Sequence, residues 1–271
     1  MGTETPSDSS AMNEISKGTF TAIFERAILG EPLQRMKVDF QVTKKINLCP
    51  FWLYSSLYAN SANMTITTTA QFYFNYMAKQ ITAKYFKDEN NEYGFHKAVL
   101  ESCAAGALSA VLTSPIEAAM INQSTTNSTF IQSSRFLAKH GVSKFYRGLS
   151  STIYREAIFT SSYIALTPYF QKYLKDECKM NESYSWFLSV FGIGAFASIA
   201  SQPFDTINAM QKGADINTNL SFRKIVSSNN TKDLFKGAMI RSVGVMWAIG
   251  MYNLAPEIYN KITSNNKKVG Y

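Results

Sequence analysis

The chain has 271 residues, of which 46% are hydrophobic and 17% are charged, a balance that fits soluble domains or a membrane protein. Mean hydropathy is −0.12, and no stretch long enough to span a membrane is wholly apolar. This argues against uniformly apolar spans but allows helices that line a watery cavity. The formal net charge of +8 is spread along the chain without a dense basic run, so we expect no nucleic-acid binding.

Residue types that build metal or catalytic sites are few and scattered. The three cysteines, Cys49, Cys103 and Cys178, are far apart and odd in number, which predicts neither a disulfide framework nor a zinc site. The two histidines, His96 and His140, are isolated from each other and from any nucleophile pattern. We therefore expect no enzyme activity, no cofactor and no bound metal.

The chain divides into a polar tail, three similar units and a second tail. Residues 1–17 are polar, lack the pattern of a signal or transit peptide, and are predicted to be disordered. The units are placed at residues 18–93, 94–182 and 183–262, and a polar tail follows at 263–271. Each unit is predicted to contain two long helices.

Six long helices are predicted from hydrophobic patterning and turn signals. They cover about residues 18–41, 60–85, 95–123, 149–174, 184–212 and 238–262. Short amphipathic or surface segments are predicted within 44–58, 127–141 and 221–233. The fifth long helix carries Gly192 and Gly194, which give it a small-residue face suited to close packing.

Two landmarks repeat in the same order. Three prolines, Pro32, Pro115 and Pro203, lie 83 and 88 residues apart within helical patterns. The segment Tyr146–Gly148 is echoed by Phe235–Gly237, each an aromatic, a basic residue and a glycine. On these motifs the chain resembles the mitochondrial carrier family, whose repeats carry Pro-x-Asp/Glu-x-x-Lys/Arg and, later, aromatic-Arg/Lys-Gly. The resemblance covers about residues 18–262, and every copy of the motif is imperfect.

The resemblance implies a fold, a location and a function. The fold is an all-α membrane protein with six transmembrane helices in three pseudo-symmetric two-helix repeats, with short surface helices between them. The implied protein is a monomer in the mitochondrial inner membrane, or in a host's mitochondria if the source is a parasite or pathogen. It moves a small charged metabolite by alternating access, as in antiport. The alternative is a non-transporting, carrier-like scaffold.

In the family, charged pairs on the odd helices close the matrix side of the cavity, and the prolines kink these helices. Carried over, the matrix gate pairs are Gln34 with Met120, Glu117 with Asn208, and Asp205 with Lys37. Only the last is an ion pair, the second allows one hydrogen bond, and the first is neutral on both sides. The resemblance therefore predicts a matrix gate weaker than a complete ring of ion pairs.

The opposite, cytoplasmic gate departs further from the family pattern of aromatic-Asp/Glu-x-x-Lys/Arg. The matching positions hold Lys79 and Thr82, Pro168 and Gln171, and Glu257 and Asn260. Lys79 and Glu257 are predicted to pair across the second and sixth helices, with Gln171 as the third gate member. Strict coupled exchange is not expected from such a gate.

Charged residues at mid-depth are the candidates for substrate binding, because an ion inside a membrane usually faces a cavity. They are Arg26, Lys37, Arg155, Glu156 and Arg241. Adjacent helical residues differ in direction by about 100°, so Arg155 and Glu156 are predicted to flank one cavity rather than to pair.

Two substrate classes remain open. Arg35, Lys37 and Gln41 in the first helix, with Asn60 and Asn63 at the start of the second, resemble the branch that carries nucleotides and coenzymes, including ADP/ATP carriers. A nucleotide such as ATP or ADP is therefore the first candidate. The adjacent Arg-Glu of the fourth helix resembles amino-acid carriers instead, which makes an amino acid the alternative.

A lipid site is implied where a glycine precedes a helix, because the free amide donors there suit a phosphate. The family uses this place for cardiolipin. The matching residues are Arg147, Gly148, Lys236 and Gly237.

Overall fold

The computed structural model describes residues 8–33, 36, 48–54, 57–85, 94–126, 128–214, 218, 220–228, 231–235 and 238–269. These residues are almost entirely helical and contain no β-strand. The α-helices in chain order are α1 (Asp8–Glu25), α2 (Pro50–Leu53), α3 (Leu57–Tyr85), α4 (Gly94–Thr126), α5 (Phe130–Lys139), α6 (Leu149–Ser161), α7 (Thr167–Asp176), α8 (Glu182–Gly213), α9 (Phe222–Ser228), α10 (Thr231–Leu234) and α11 (Ala238–Val269).

Two π-helical segments, one 3-10 turn and the helical residues 31–33 and 36 complete the helical structure of these ranges. The first π-helix, Arg26–Gly30, follows α1 directly. The second, Ser162–Leu166, joins α6 to α7, so that the three segments form one long helical stretch. The 3-10 turn, Val142–Lys144, leads from α5 towards α6.

Within the described part of the chain, six long helical stretches pack as a closed ring. Each contacts the next in chain order: α1 packs on α3, α3 on α4, α4 on α6, the α6–α7 stretch on α8, and α8 on α11. The ring closes because α11 packs back on α1, and α4 also contacts α8 directly. The short α5 packs on α4, whereas α9 and α10 pack on α8.

Many large apolar side chains of α8 face outward, whereas many of its polar side chains are buried. Five apolar side chains are between 42% and 56% exposed: Phe187, Leu188, Phe191, Phe196 and Ile199. Five polar residues are fully buried, Ser185, Ser189, Ser198, Ser201 and Gln202, and they lie beside the buried apolar residues Val190, Ala197 and Ile207. A helix with this pattern suits lipid on the outside and a polar interior.

Among the described residues, two helices are long and apolar enough to cross a membrane, namely Gly94–Gln123 and Glu182–Gly213. Taken alone, two such helices are weak evidence, because core helices of soluble proteins and signal sequences have the same length and composition. The all-helical fold class agrees with the sequence analysis, while the six-span arrangement and the three repeat units stay predictions.

Glycine lets neighbouring helices approach to backbone contact at two crossings. A Cβ at Gly106 of α4 would lie 2.4 Å from the Glu156 carbonyl oxygen of α6. A Cβ at Gly194 of α8 would lie 2.9 Å from Met246 Cα of α11. Close packing through small residues is a common solution for helices that associate without a hydrophobic driving force.

The predicted N-terminal tail is partly wrong, because α1 begins at Asp8 and residues 8–17 are helical. Two contacts hold this extension: Ser10 Oγ lies 2.6 Å from the Tyr76 hydroxyl, and Lys17 pairs with Glu14 at 2.7 Å. The sixth long helix, predicted to end at about residue 262, continues to Val269 through the polar C-terminal segment. Between residues 34 and 47, only Met36 lies within the described residues, so the predicted end of the first helix is outside them.

Candidate functional site

Arg155 lies in the middle of α6 and meets carboxylates from three helices. Its Nη1 is 3.4 Å from Asp205 Oδ1 of α8, and its Nη2 binds Glu117 Oε1 of α4. On its own helix, Nε and Nη2 lie 2.9 and 2.6 Å from Glu156 Oε1. The side chain is only 14% exposed, so these contacts lie inside the ring.

Two further cations hold the same carboxylates from the other side. Lys212 Nζ, at the end of α8, is 2.7 Å from Glu117 Oε2. Arg241 Nε of α11 is 3.3 Å from Asp205 Oδ2. We call Glu117, Glu156 and Asp205, together with Arg155, Lys212 and Arg241, the Arg155 network. Its three carboxylates balance its three cations, which matters because an unpaired ion at such a depth is costly.

The cations of the Arg155 network also bind neutral groups. Arg241 donates to the Ser198 carbonyl oxygen and to Ser201 Oγ, both at 3.0 Å. Lys212 donates to Thr152 Oγ1 at 3.1 Å. These contacts fix the two cations against α8 and α6. Among the described residues, no three His, Cys, Asp or Glu side chains are arranged to hold a metal ion.

A hydrogen-bonded chain extends the network to α3. Gln71, which is fully buried, donates from Nε2 to Glu156 Oε2 at 2.8 Å and accepts from the Tyr163 hydroxyl at 3.0 Å. The Tyr163 ring packs edge-on against Tyr252 of α11, with 4.9 Å between centroids. Both oxygens of Glu156 are thereby fixed.

The prediction that Arg155 and Glu156 would flank a cavity without pairing is wrong. Their Cα–Cβ directions differ, but the long arginine side chain bends back to its neighbour while also reaching Glu117. The third partner makes the difference, because a carboxylate on another helix draws both side chains to one side of α6.

The structure brings some of the predicted matrix-gate residues together. Asn208 Nδ2 donates to Glu117 Oε2 at 3.3 Å, the contact expected for that pair. Asp205 lies against Arg155 and Arg241. Its predicted partner, residue 37, and the other predicted member, residue 34, lie outside the described residues. Met120, in α4, is half-buried.

Lys212 is a site residue that the sequence analysis missed. It lies four residues after Asn208, and side chains at this spacing share a helix face. That spacing was the available signal, since a cation one turn beyond the expected position can reach the same carboxylate. Lys212 does so, and its side chain is completely buried.

The predicted cytoplasmic gate is not formed in this conformation. Lys79 and Glu257 are both exposed and make no ion pair with each other, and Gln171 is half-buried. Thr82, at one of the matching positions, donates instead to Glu101 Oε1 of α4.

The three repeated prolines occupy related places. Pro115 and Pro203 lie inside the continuous helices α4 and α8, where each removes one backbone N–H. The carboxylates two residues further on, Glu117 and Asp205, bind the same arginine, which places the two prolines at similar depth. Pro32 follows the first π-helix. The kinks themselves stay a prediction.

Arg26 binds within its own helical stretch. Its Nε is 3.1 Å from Glu25 Oε2, and its Nη1 donates to the Gly30 carbonyl oxygen at 3.2 Å across the π-helix. Both charged side chains are buried. A role for Arg26 in substrate binding stays a prediction.

The predicted lipid-binding residues have structural contacts. Gly148 adopts φ of 76° as the N-cap residue of α6, and a Cβ there would come within 3.1 Å of Asn208 Oδ1. Arg147 donates to the carbonyl oxygens of Ala214, at 3.2 Å, and Thr218. The counterparts at 236 and 237 lie outside the described residues. Cardiolipin binding therefore stays a prediction.

The second predicted unit, with Pro115, Glu117 and Arg155, can be compared with known families. Residues 91–177 match the family model described as mitochondrial carrier protein. The match spans α4 to α7 and supports transmembrane transport of a metabolite. Members of that family are multi-pass transporters of the mitochondrial inner membrane rather than enzymes. No curated protein matches the chain.

Proposed function

We propose that this protein carries a small charged metabolite across the mitochondrial inner membrane by alternating access. The carrier match over residues 91–177 supports transport of a metabolite. The polar interior of the helix ring and the buried Arg155 network supply a binding site of the kind such transport needs. The outward apolar face of α8 suits lipid.

The substrate that fits the site best is a zwitterionic amino acid, and the direct Arg155–Glu156 pair carries this inference. The pair offers a cation and an anion at one point, with 2.6 Å between Nη2 and Oε1. A substrate carboxylate can replace Glu117 on Arg155, because Glu117 keeps its contact with Lys212, while the substrate amine binds Glu156. This exchange leaves no charge of the Arg155 network without a partner, whereas a polyanion would bring charges that this balanced network does not neutralise.

A nucleotide is the second candidate, and it rests on the resemblance of the first two helices to the nucleotide branch. Its cations, at positions 35 and 37, lie outside the described residues. Asn60 Nδ2 binds Glu31 Oε1 at 2.8 Å, which ties the start of α3 to the first helical stretch.

Uptake into liposomes distinguishes the two substrates. We expect Arg155→Ala to abolish uptake of either class, because it removes the only described cation that contacts three carboxylates at once. We expect Glu156→Gln to reduce amino-acid uptake by about a hundredfold, since losing a buried ionic partner typically costs a few kcal/mol. The matched control is Glu182→Gln, which breaks an exposed pair with Lys175 and should transport normally.

Each other outcome has a definite meaning. If nucleotides enter and Glu156→Gln leaves their uptake intact, the amino-acid assignment is wrong and the nucleotide is the substrate. If folded protein moves neither class, nor keto acids, the non-transporting scaffold is the better description.

A further inference from the structure

Lys212 is a buried cation that the carrier motif does not account for. The motif places its cation five residues after the proline, and that position here is Asn208. Lys212 follows four residues later with a side chain that is 0% exposed. Its Nζ lies 2.7 Å from Glu117 Oε2 and 3.1 Å from Thr152 Oγ1.

Asn208 and Lys212 approach the same carboxylate oxygen. Asn208 Nδ2 is 3.3 Å from Glu117 Oε2, so the motif position still reaches its partner but brings only an amide. The charge arrives from one turn further along α8, because residues four apart share a helix face. The pairing of α4 with α8 is therefore ionic, although the motif position is neutral.

We propose that Lys212 is the latch cation on the closed side of the ring, and that the substrate carboxylate opens this latch by taking Arg155 away from Glu117. The proposal rests on the proposed transport of an amino acid. It makes Lys212 a positioning residue, since it acts on the gate through Glu117 and need not touch the substrate.

Glu117 carries the coupling because two helices share it. Arg155 of α6 holds Oε1, and Lys212 of α8 holds Oε2. A substrate carboxylate on Arg155 leaves Glu117 bound only from α8, so the ion pair between α4 and α6 is lost. If different residues bound the substrate and closed the gate, the substrate would have to act on the gate at a distance. Here the Arg155 guanidinium binds Glu117 of the gate and is also the proposed contact of the substrate carboxylate.

A small cavity beside the latch allows its opening to be measured without transport. The cavity has a volume of about 240 Å³ and is lined in part by Ala118 and Lys212. Ala118 follows Glu117 and is 3% exposed. The variant Ala118→Cys is made in a protein whose three native cysteines, Cys49, Cys103 and Cys178, are changed to serine. The rate at which its new cysteine reacts with a membrane-impermeant maleimide reports opening of the latch.

We expect Lys212→Met to raise this labelling rate by about tenfold or more, because the variant leaves a buried carboxylate with one cation fewer. Lys175→Met, which removes an exposed lysine from a surface pair, is the matched control and should leave the rate unchanged. An unchanged rate in Lys212→Met would overturn the latch.

Relocating the charge keeps the proposal testable if Lys212→Met folds poorly. The double variant Asn208→Lys with Lys212→Asn moves the cation to the motif position, from which residue 208 already reaches Glu117. We expect it to restore slow labelling, while Lys212→Asn alone stays fast. Fast labelling in both would refute a role for the charge in closure.

The carboxylate trigger has its own readout. A transported amino acid should accelerate labelling of the Ala118→Cys variant that keeps both Lys212 and Glu117. The carboxamide of the same amino acid keeps the amine but lacks the carboxylate, and it should not accelerate labelling. Equal acceleration by both would overturn the trigger.

If labelling depends on Lys212 but no amino acid is carried, the latch stands and the proposed substrate fails. If amino acids are carried but labelling ignores Lys212, the latch fails alone.

Discussion

At the scale of single residues, the Arg155 network is worth more for specificity than for stability. Ion pairs that are this buried recover about what their desolvation costs, yet removing one member leaves an uncompensated charge, a loss of about 3–5 kcal/mol. Each carboxylate of the network is held by at least one cation, and Glu117 and Asp205 are each held by two. The arrangement therefore tolerates substitution of partners far better than deletion of one.

Gln71 is the residue on which the orientation of Glu156 depends. We expect Gln71→Leu to lower the free energy of unfolding by about 1–3 kcal/mol, because it leaves a carboxylate oxygen and the Tyr163 hydroxyl without partners. Tyr163→Phe removes only one hydrogen bond and should cost about 1 kcal/mol. Thermal unfolding in detergent ranks the two, and a larger loss in Tyr163→Phe would contradict the network as described.

The sequence could identify most members of this site but not their partners. Glu117, Asn208 and Asp205 follow from motif spacing, and Arg155 and Glu156 follow from depth. Position along the chain was the basis for assigning these residues either to the gate or to the substrate site, although the structure joins them in one network. The reach of a long side chain between helices depends on tilt and crossing distance, and spacing along one helix contains neither. Lys212 differs, because its spacing of four residues from Asn208 places it on the same helix face and could have indicated it.

At the scale of helices, prediction worked where apolar patterning is long and turns are marked. The helix predicted at about 60–85 is observed at Leu57–Tyr85, and the one at 184–212 is observed at Glu182–Gly213. The N-terminal extension of α1 escaped prediction because its helix depends on packing against α3. The π-helices were not predicted, because an extra residue in one turn has no sequence signal comparable to those that mark helix ends.

The crossing of α4 and α6 should depend on Gly106. Gly106→Ala forces a methyl group to within 2.4 Å of a backbone oxygen, so we expect a loss of about 1–3 kcal/mol in unfolding free energy. Gly192→Ala is the control, since its added methyl group would meet only a Phe170 ring carbon at 3.8 Å. That variant should gain about 0.5–1 kcal/mol from better helix propensity. Similar behaviour of the two in thermal unfolding would contradict the close crossing.

The surface helix α5 should depend on its capping box. Thr129 Oγ1 accepts from the Gln132 amide, and the Gln132 side chain accepts from the Thr129 amide. Thr129→Ala should weaken α5 by about 0.5–2 kcal/mol, measured as faster amide hydrogen exchange across Phe130–Lys139. Ser134→Ala, within the same exposed helix, should leave the exchange rates nearly unchanged.

At the scale of the whole molecule, the described helices enclose polar side chains and turn apolar ones outward. The ring closes through α11 and α1, the last and first helices of the described chain. Six spans were predicted through family resemblance, because hydropathy alone identifies two candidate spans among the described residues. Polar inward faces lower the mean hydropathy of the other helices, which hides them from a search for apolar segments.

Two native cysteines test the number of spans. Cys49 lies between the first and second long helical stretches and Cys178 between the fourth and fifth, and both are exposed. If all six stretches cross the membrane, an odd number of spans separates the two cysteines. In sealed vesicles of one orientation, an impermeant maleimide should then label one of them and reach the other only after permeabilisation. Labelling of both from one side would rule out six spans.

The π-helix Ser162–Leu166 divides one ring helix into an end that carries Arg155 and an end that carries Gln171. A π turn holds about one residue more than an α turn, so every side chain beyond it is rotated by about 100° relative to an unbroken helix. Lys172 therefore takes the direction that an uninterrupted helix would give to residue 171. In evolutionary terms the segment is equivalent to a single-residue insertion. Such an insertion changes which side chains face the ring interior at one end of the helix, while the other end keeps its packing against α4 and α8.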